Sequence, residues 1–265
     1  MTMDIITAIK QRRSVRTFAP DPLSPSLREH LERVAEHTRS PFGGNVTILL
    51  RDIDAGSIFR PETYGMISGA KTYFLIATGS DDSSALSAGY RFEQVILEAT
   101  RLGLGTCWVG GTFRKSAFES HGAWPAGESL RAVCPVGIPG RARFLERTMT
   151  SVMGSHRRKP FESLFYADGF RAPLPASSPL AFPLEMMRLA PSSTNSQPWR
   201  ATKDGDTVHF YCATSNRYSL IDCGTGLCHF AEGTAHAGID GSFGTLTEHP
   251  VPPRDWRYIT SFTRR

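Results

Sequence analysis

The chain has 265 residues, 40% of them apolar and 21% charged, which is the make-up of a globular protein with length for one large domain or two small ones. The formal net charge is +5, carried mainly by arginine, since five of the thirty basic residues are lysine. No basic run interleaved with aromatic residues marks a nucleic-acid groove, and no apolar stretch approaches the length of a membrane span.

The first residues, Met-Thr-Met-Asp-Ile-Ile, lack a charged segment followed by a long apolar run, so no secretory signal is expected and the expected compartment is the cytoplasm. Ile5, Ile6 and Ile9 stand at helical spacing and lead into Arg12, Arg13, Ser14 and Arg16, closed by Pro20 and Pro22. Arginines and a serine this close can surround a phosphate with charge-assisted bonds, though a solvated basic helix end has the same residues. Residues 24–37 read as a helix, with Pro25 in the first turn and a stripe of Leu27, Leu31 and Val34. A small-residue stretch, Ser40-Pro41-Phe42-Gly43-Gly44-Asn45, precedes an expected strand at 46–50, and a buried strand is expected at 71–78. Residues 89–102 have helical periodicity through Phe92, Val95, Ile96 and Ala99. They run into Gly103-Leu104-Gly105-Thr106-Cys107-Trp108-Val109-Gly110-Gly111. These glycines follow a helix and lack the G-x-G-x-x-G spacing, which excludes a dinucleotide fold. A strand is expected at 131–138, followed by a basic stretch with His156, Arg157, Arg158 and Lys159, and a Pro/Ser/Ala-rich crossover at 172–183.

Leu184, Met187 and Leu189 then set a short helical pattern ahead of Ala190-Pro191-Ser192-Ser193-Thr194-Asn195-Ser196-Gln197-Pro198-Trp199-Arg200. Hydroxyls and amides offer donors and acceptors together and suit a flat heterocycle, while an N-capped turn would use the same residues. Trp199 is the natural anchor of this stretch in a core. A strand at 208–212, a helix at 222–238 and a final strand at 256–263 complete the chain. Gly224 to Gly238 spans fourteen residues, as does Gly89 to Gly103, and the Pro41 and Pro191 stretches precede these helices in the same order. A period this long is that of a duplicated domain. The five cysteines, Cys107, Cys134, Cys212, Cys223 and Cys228, show no C-x-x-C spacing, so buried thiols are expected. No metal site is expected; His229 and His236 share one helical pattern, which packing accounts for.

The stretch from Pro191 to Trp199 resembles the loop by which nitroreductase-family flavoproteins hold FMN. Arg12, Arg13, Ser14 and Arg16 after a short helix resemble the family's FMN-phosphate segment, and Gly110-Gly111 resembles the loop whose backbone approaches the flavin. The run Arg158-Lys159-Pro160-Phe161 is similar to a family segment whose basic residue reaches the phosphate, and the residues alone leave open which of Arg157, Arg158 and Lys159 does so. In the typical family member two subunits share each FMN. Here each motif set occurs once, and the first-half loop has decayed to Ser40–Asn45. The chain therefore resembles the internally duplicated TM-nitroreductase branch.

That resemblance implies an α+β nitroreductase-like fold in which two pseudo-symmetric halves, 1–160 and a shorter 161–265, pack as an intramolecular pseudo-dimer and one compact unit. It implies FMN held by Arg12, Arg13, Ser14, Arg16, Gly110, Gly111, Arg158, Lys159, Pro191, Ser192, Ser193, Asn195 and Gln197. It implies NAD(P)H as electron donor, a small electron-poor substrate such as a nitroaromatic or quinone, and a monomer that needs neither nucleic acid nor membrane. Chemistry centred on the flavin leaves no side chain named as catalytic; His156 and His209 are nearest only by sequence position. Alternatives are a flavin sensor or store with little turnover, a relative that fragments flavin or removes halogen and, last, a basic nucleic-acid-binding module.

Overall fold

The computed structural model describes residues 3–53, 62–141 and 157–265. Asp4 caps α1 (Ile5–Gln11), its carboxylate accepting from the Thr7 amide at 3.0 Å, and Ser24 caps α2 (Pro25–His37) in the same way. A hairpin-like pair, β1 (Val46–Asp52) and β2 (Thr72–Thr78), leads to the long helix α3 (Asp82–Arg101). After it come the short β3 (Gly105–Thr106), α4 (Lys115–Glu119) and β4 (Ser129–Gly137). These strands form one antiparallel sheet in the order β1-β2-β4-β3.

The second half begins with two short strands, β5 (Phe165–Ala167) and β6 (Ala172–Pro173), then α5 (Ala181–Leu189). Next are β7 (Trp199–Asp204), β8 (Thr207–Cys212), α6 (Ser219–His236), β9 (Gly241–Gly244) and β10 (Arg257–Arg264). Its sheet runs β6-β5-β7-β8-β10-β9, so β7-β8-β10-β9 repeats the order of the first sheet, with the β5/β6 pair added on the β7 edge. In both halves a helix precedes the first strand and a long helix follows the second. The chain is thus an α+β fold of two like halves packed as a pseudo-dimer.

Each half has its own core of two helices against one sheet face: Leu31, Phe74, Phe92 and Ile96 in the first, Leu184, Trp199, Phe210 and Phe230 in the second. The halves meet where α3 crosses α6. A Cβ on Gly89 would strike the Ile221 carbonyl oxygen, and a Cβ on Gly224 would strike the Leu86 carbonyl oxygen, each three residues before the opposite glycine. Only glycine permits two backbones to approach this closely. Both helices end alike: Gly103 (φ +76°) and Gly238 (φ +65°) turn left-handed, and the next amides, Leu104 and Ile239, return to the Ala99 and Thr234 carbonyls at 2.9 Å each. The fourteen-residue glycine interval is therefore the distance from crossing point to helix stop. α1 seals the seam, with Ile6 and Ile9 against Leu97 of α3, Met186 of α5 and Cys228 of α6.

Some expectations shift. α3 starts at Asp82, earlier than 89, because Asp81 accepts from the Ser84 amide at 2.8 Å and nucleates two more turns. β7 begins at Trp199, directly after the amide-rich stretch, and adds a strand ahead of the expected one at β8. Residues 172–183 hold β6 and the start of α5 rather than a plain crossover. All five cysteines are buried.

Candidate functional site

A cavity of about 990 Å³ opens between the halves. One wall comes from the first half. Beyond α1 the chain runs extended beside β3: Ser14 bridges Thr106 in parallel, and the Val15 amide donates to the Thr106 carbonyl at 2.9 Å. This carries Arg12, Arg13, Ser14 and Arg16 along the cavity wall. The Arg12 side chain is 7% exposed and Arg16 is buried, while Arg13 is exposed. Gly110 and Gly111 follow Val109, which is locked to Val133 of β4 by two backbone bonds of 2.9 and 3.0 Å.

The other wall comes from the second half. Pro191, Ser192, Ser193, Thr194 and Asn195 line it, together with Tyr218, Asp222 and Thr225 from the start of α6. The loop is held in an unusual backbone: Thr194, Asn195 and Gln197 have φ of +50°, +56° and +47°. Non-glycine residues sit in this region only when their surroundings over-determine them. The surroundings are a set of part-buried polar bonds. The Gln197 amide donates to Ser192 Oγ at 2.9 Å, and Gln197 Oε1 accepts from the Lys159 amide at 2.8 Å. Lys159 Nζ donates to the Ser196 carbonyl at 2.6 Å. Asp222 accepts from the Ser193 amide at 2.9 Å and from Ser196 Oγ at 3.3 Å, tying the loop to α6.

Of the basic stretch, Arg158 lines the cavity, donating to Asn195 Oδ1 at 3.3 Å and to the Leu189 carbonyl at 3.0 Å. Arg157 is exposed, and its carbonyl accepts from Asn195 Nδ2 at 2.9 Å. Lys159 and Gln197 are absent from the cavity lining; they clamp the loop from behind. His156 lies outside the described residues. His209 bonds Ser261 Oγ at 2.8 Å, away from the cavity, and among the described residues no cluster could hold a metal ion.

The electrostatics of the cavity are uneven. Burial, then the charges of Arg12 and Arg188, push the Arg158 guanidinium down to about 10. Burial also lowers Arg12. Burial raises the Asp222 carboxyl to about 7, against the two hydrogen bonds that favour its anion. Two cations brought together from opposite walls, both desolvated, make a place that favours an anion.

Sequence reasoning missed Trp108, Tyr218 and Asp222 as cavity residues. Tyr218 crosses from the second half to bond the Gly110 carbonyl, and a Cβ on Gly110 would meet its ring at 2.8 Å. No motif marks these positions, since each matters only through the packing of one half on the other. Among the described residues, aromatic rings occupy the pseudo-symmetric counterpart of the cavity. By the step that carries Gly89 to Gly224, Thr225 corresponds to Tyr90 and Trp108 to Phe243. Both rings pack edge to face on Phe42 of the decayed loop, with centroids 5.5 and 5.4 Å away.

Two like α+β halves that close one shared cavity define a single-chain pseudo-dimer of the nitroreductase fold. The chain belongs to the family described as "Putative TM nitroreductase", whose model matches residues 4–234. A solved structure described as a "putative nitroreductase" from Thermotoga maritima MSB8 is similar over 99% of this chain and 94% of its own, at 17% identity and a TM-score of 0.64. Shorter matches include a nitroreductase with bound FMN from Bacteroides fragilis NCTC 9343, at 16% identity and a TM-score of 0.44, covering 54% of this chain and 92% of that one. Another is described as a "putative nitroreductase in complex with fmn" from Desulfovibrio desulfuricans, at 20% identity and a TM-score of 0.41, covering 56% and 96%. No curated protein matches the chain in sequence. Among the described residues no helix is long and apolar enough to cross a membrane.

Proposed function

We propose that the chain is an FMN-dependent oxidoreductase that uses NAD(P)H to reduce nitroaromatics, quinones or similar electron-poor small molecules. The observation that carries this reading is the meeting of Arg12 and Arg158, desolvated and from opposite walls, in a cavity continued by two glycines and a polar loop. The donor set fits FMN. Arg12, Ser14, Arg16 and Arg158 suit a phosphate of charge about −2, for which arginine forks are the matched donors. Ser192, Ser193 and Asn195 suit the polar chain and ring edge, and Gly110 and Gly111 leave the cavity wall flat for a ring. The volume stands at the upper end of small-molecule sites, roughly 300–1,000 Å³, and leaves space for a second flat molecule beside the first.

When bound, FMN supplies hydride acceptance from NAD(P)H and delivery to the acceptor. The chain's own residues bind and orient. Arg12, Arg13, Arg16 and Arg158 hold the anionic end. Lys159 and Gln197 act by clamping the loop that carries Pro191, Ser192, Ser193 and Asn195. Backbone N–H groups at Gly110 and Gly111 stabilise developing negative charge without a titrating side chain. The same reading divides the chain into halves 1–160 and 161–265 that work as one monomeric unit in the cytoplasm, with one FMN.

Purified full-length protein loaded with FMN tests this. One flavin per chain, bleached by NADH or NADPH without oxygen and restored by a quinone or nitroaromatic, is the expected result. A flavin that binds and stays oxidised with both donors would instead make the protein a flavin sensor or store. Failure to bind FMN at all removes both readings.

A further inference from the structure

Three segments of the cavity wall converge on one carboxylate that does not itself line the cavity. Glu93, in the middle of α3, is wholly buried. Its Oε1 stands 2.9 Å from His229 Nε2 of α6, within hydrogen-bond distance, and 3.9 Å from Arg12 Nε. Its Oε2 accepts from the Trp108 indole N–H at 3.3 Å, two residues before Gly110. His229, also wholly buried, donates from Nδ1 to the Met186 carbonyl at 3.1 Å, and Met186 lies on α5, which ends at the polar loop. Glu93 therefore joins the Arg12 segment, the glycine segment and, through His229, the helix that carries Pro191 to Gln197.

Helix packing alone does not call for this arrangement. A buried ionic cluster is often replaced by apolar side chains without loss of stability. The pseudo-symmetry gives an internal comparison: Glu93 corresponds to Cys228, and His229 to Gln94. Cys228 packs in the apolar seam with Ile6 and Ile9, and Gln94 is half-buried and bonds the Arg39 carbonyl. The equivalent positions on the same two crossing helices thus carry no ionic pair. The pair stands on the side of the open cavity.

We propose that Glu93 is a positioning residue for FMN, paired with His229, which holds the Arg12 guanidinium at the phosphate. This rests on the FMN reading above. Arg12 Nε has no hydrogen-bond acceptor among the described residues, and 3.9 Å is too long for a hydrogen bond. Glu93 therefore fixes Arg12 by charge and leaves its donors for a ligand. Trp108 and His229 hold the carboxylate where it does this.

The test is a double-mutant cycle on the full-length protein freed of flavin, titrated with FMN and with riboflavin by fluorescence. Glu93→Gln should weaken FMN on the order of tenfold, within the range of couplings between contacting residues, and leave riboflavin nearly unchanged. In the Arg12→Ala background the same substitution should no longer change FMN affinity. Equal losses for the two ligands, or full additivity with Arg12→Ala, overturn the proposal and leave Glu93 as a packing residue. If Arg12→Ala alone does not distinguish FMN from riboflavin, the phosphate reading fails and takes this one with it. Should Glu93→Gln not fold, His229→Gln serves. It leaves Arg12 as the strongest partner of the carboxylate, draws it out of the cavity and weakens FMN selectively; unchanged FMN binding in that variant also overturns the proposal.

Discussion

Single side chains set the charge of the cavity. Arg158 donates to Asn195 and Leu189 while burial, then the charges of Arg12 and Arg188, lower its pKa to about 10 and leave it charged at neutral pH. An anion placed there relieves both penalties, so Arg158→Ala should cost FMN binding about 1.5–3 kcal/mol, the scale of a hydrogen bond to a charged group. Riboflavin, without the phosphate, should lose much less, and parallel fluorescence titrations of the two ligands check it. Asp222 behaves in the opposite sense. Its carboxyl is raised to about 7 by burial, from an ordinary value near 4. Between those values the folded chain keeps a proton that the unfolded chain has released. Stability should therefore fall as pH rises from about 4 to about 7 and level off above. Asp222→Asn keeps an acceptor for the Ser193 amide and removes the titration. Its melting temperature should change less than that of the wild type across this window, as thermal unfolding at pH 5, 6 and 7 will read.

At the scale of elements, two devices matter. The α3–α6 crossing relies on Gly89 and Gly224, each against a backbone carbonyl of the other helix. Gly→Ala in a helix normally gains nearly 1 kcal/mol from propensity. Here the methyl group meets backbone that cannot rotate away, so overpacking wins. Gly89→Ala should lose on the order of 1–3 kcal/mol in denaturant unfolding. Ala at Gly103 is a different case, strained by φ +76° with nothing within 4 Å of the added carbon. The second device is the clamp on the polar loop. Lys159→Met removes the donor to the Ser196 carbonyl, a bond of 2.6 Å on a partly exposed side chain. It should relax the left-handed run through Thr194, Asn195 and Gln197 and weaken FMN and riboflavin alike, by roughly 1 kcal/mol. That equal loss separates a loop clamp from a phosphate contact such as Arg158.

The whole molecule replaces two subunits with two halves. α3 and α6 bury their facing sides in each other, and α1 covers the seam. A half expressed alone would expose this surface and should aggregate or remain unfolded. Completing the cavity is intramolecular, so FMN affinity per chain should not change on dilution, and a flavin titration at low and high protein concentration reads this directly. One open cavity combines both walls, and among the described residues Phe42, Tyr90 and Phe243 pack together at the counterpart position. Absorbance against protein mass should therefore give one flavin per chain.

Local periodicity made most elements legible, because side-chain burial on a helix or strand repeats along the chain. The stripe of Leu27, Leu31 and Val34 marked α2, and the apolar run at 71–78 marked β2, whose seven residues are all buried. The equal glycine intervals marked the duplication, since a backbone crossing and a left-handed stop both demand glycine at fixed positions on a helix. The arginine segment, the Gly110-Gly111 pair and the Pro191–Asn195 stretch were legible as motifs, because each is contiguous. What tertiary structure alone decided is what faces what. It put Arg158 on the cavity wall, while Lys159 clamps the loop from behind and Arg157 is exposed. It brought Glu93 to Arg12, Trp108 and His229, residues from four separate segments with no shared spacing. It set Tyr218 against Gly110 across the two halves. Such contacts depend on how one helix crosses another, and no repeat along the chain encodes that.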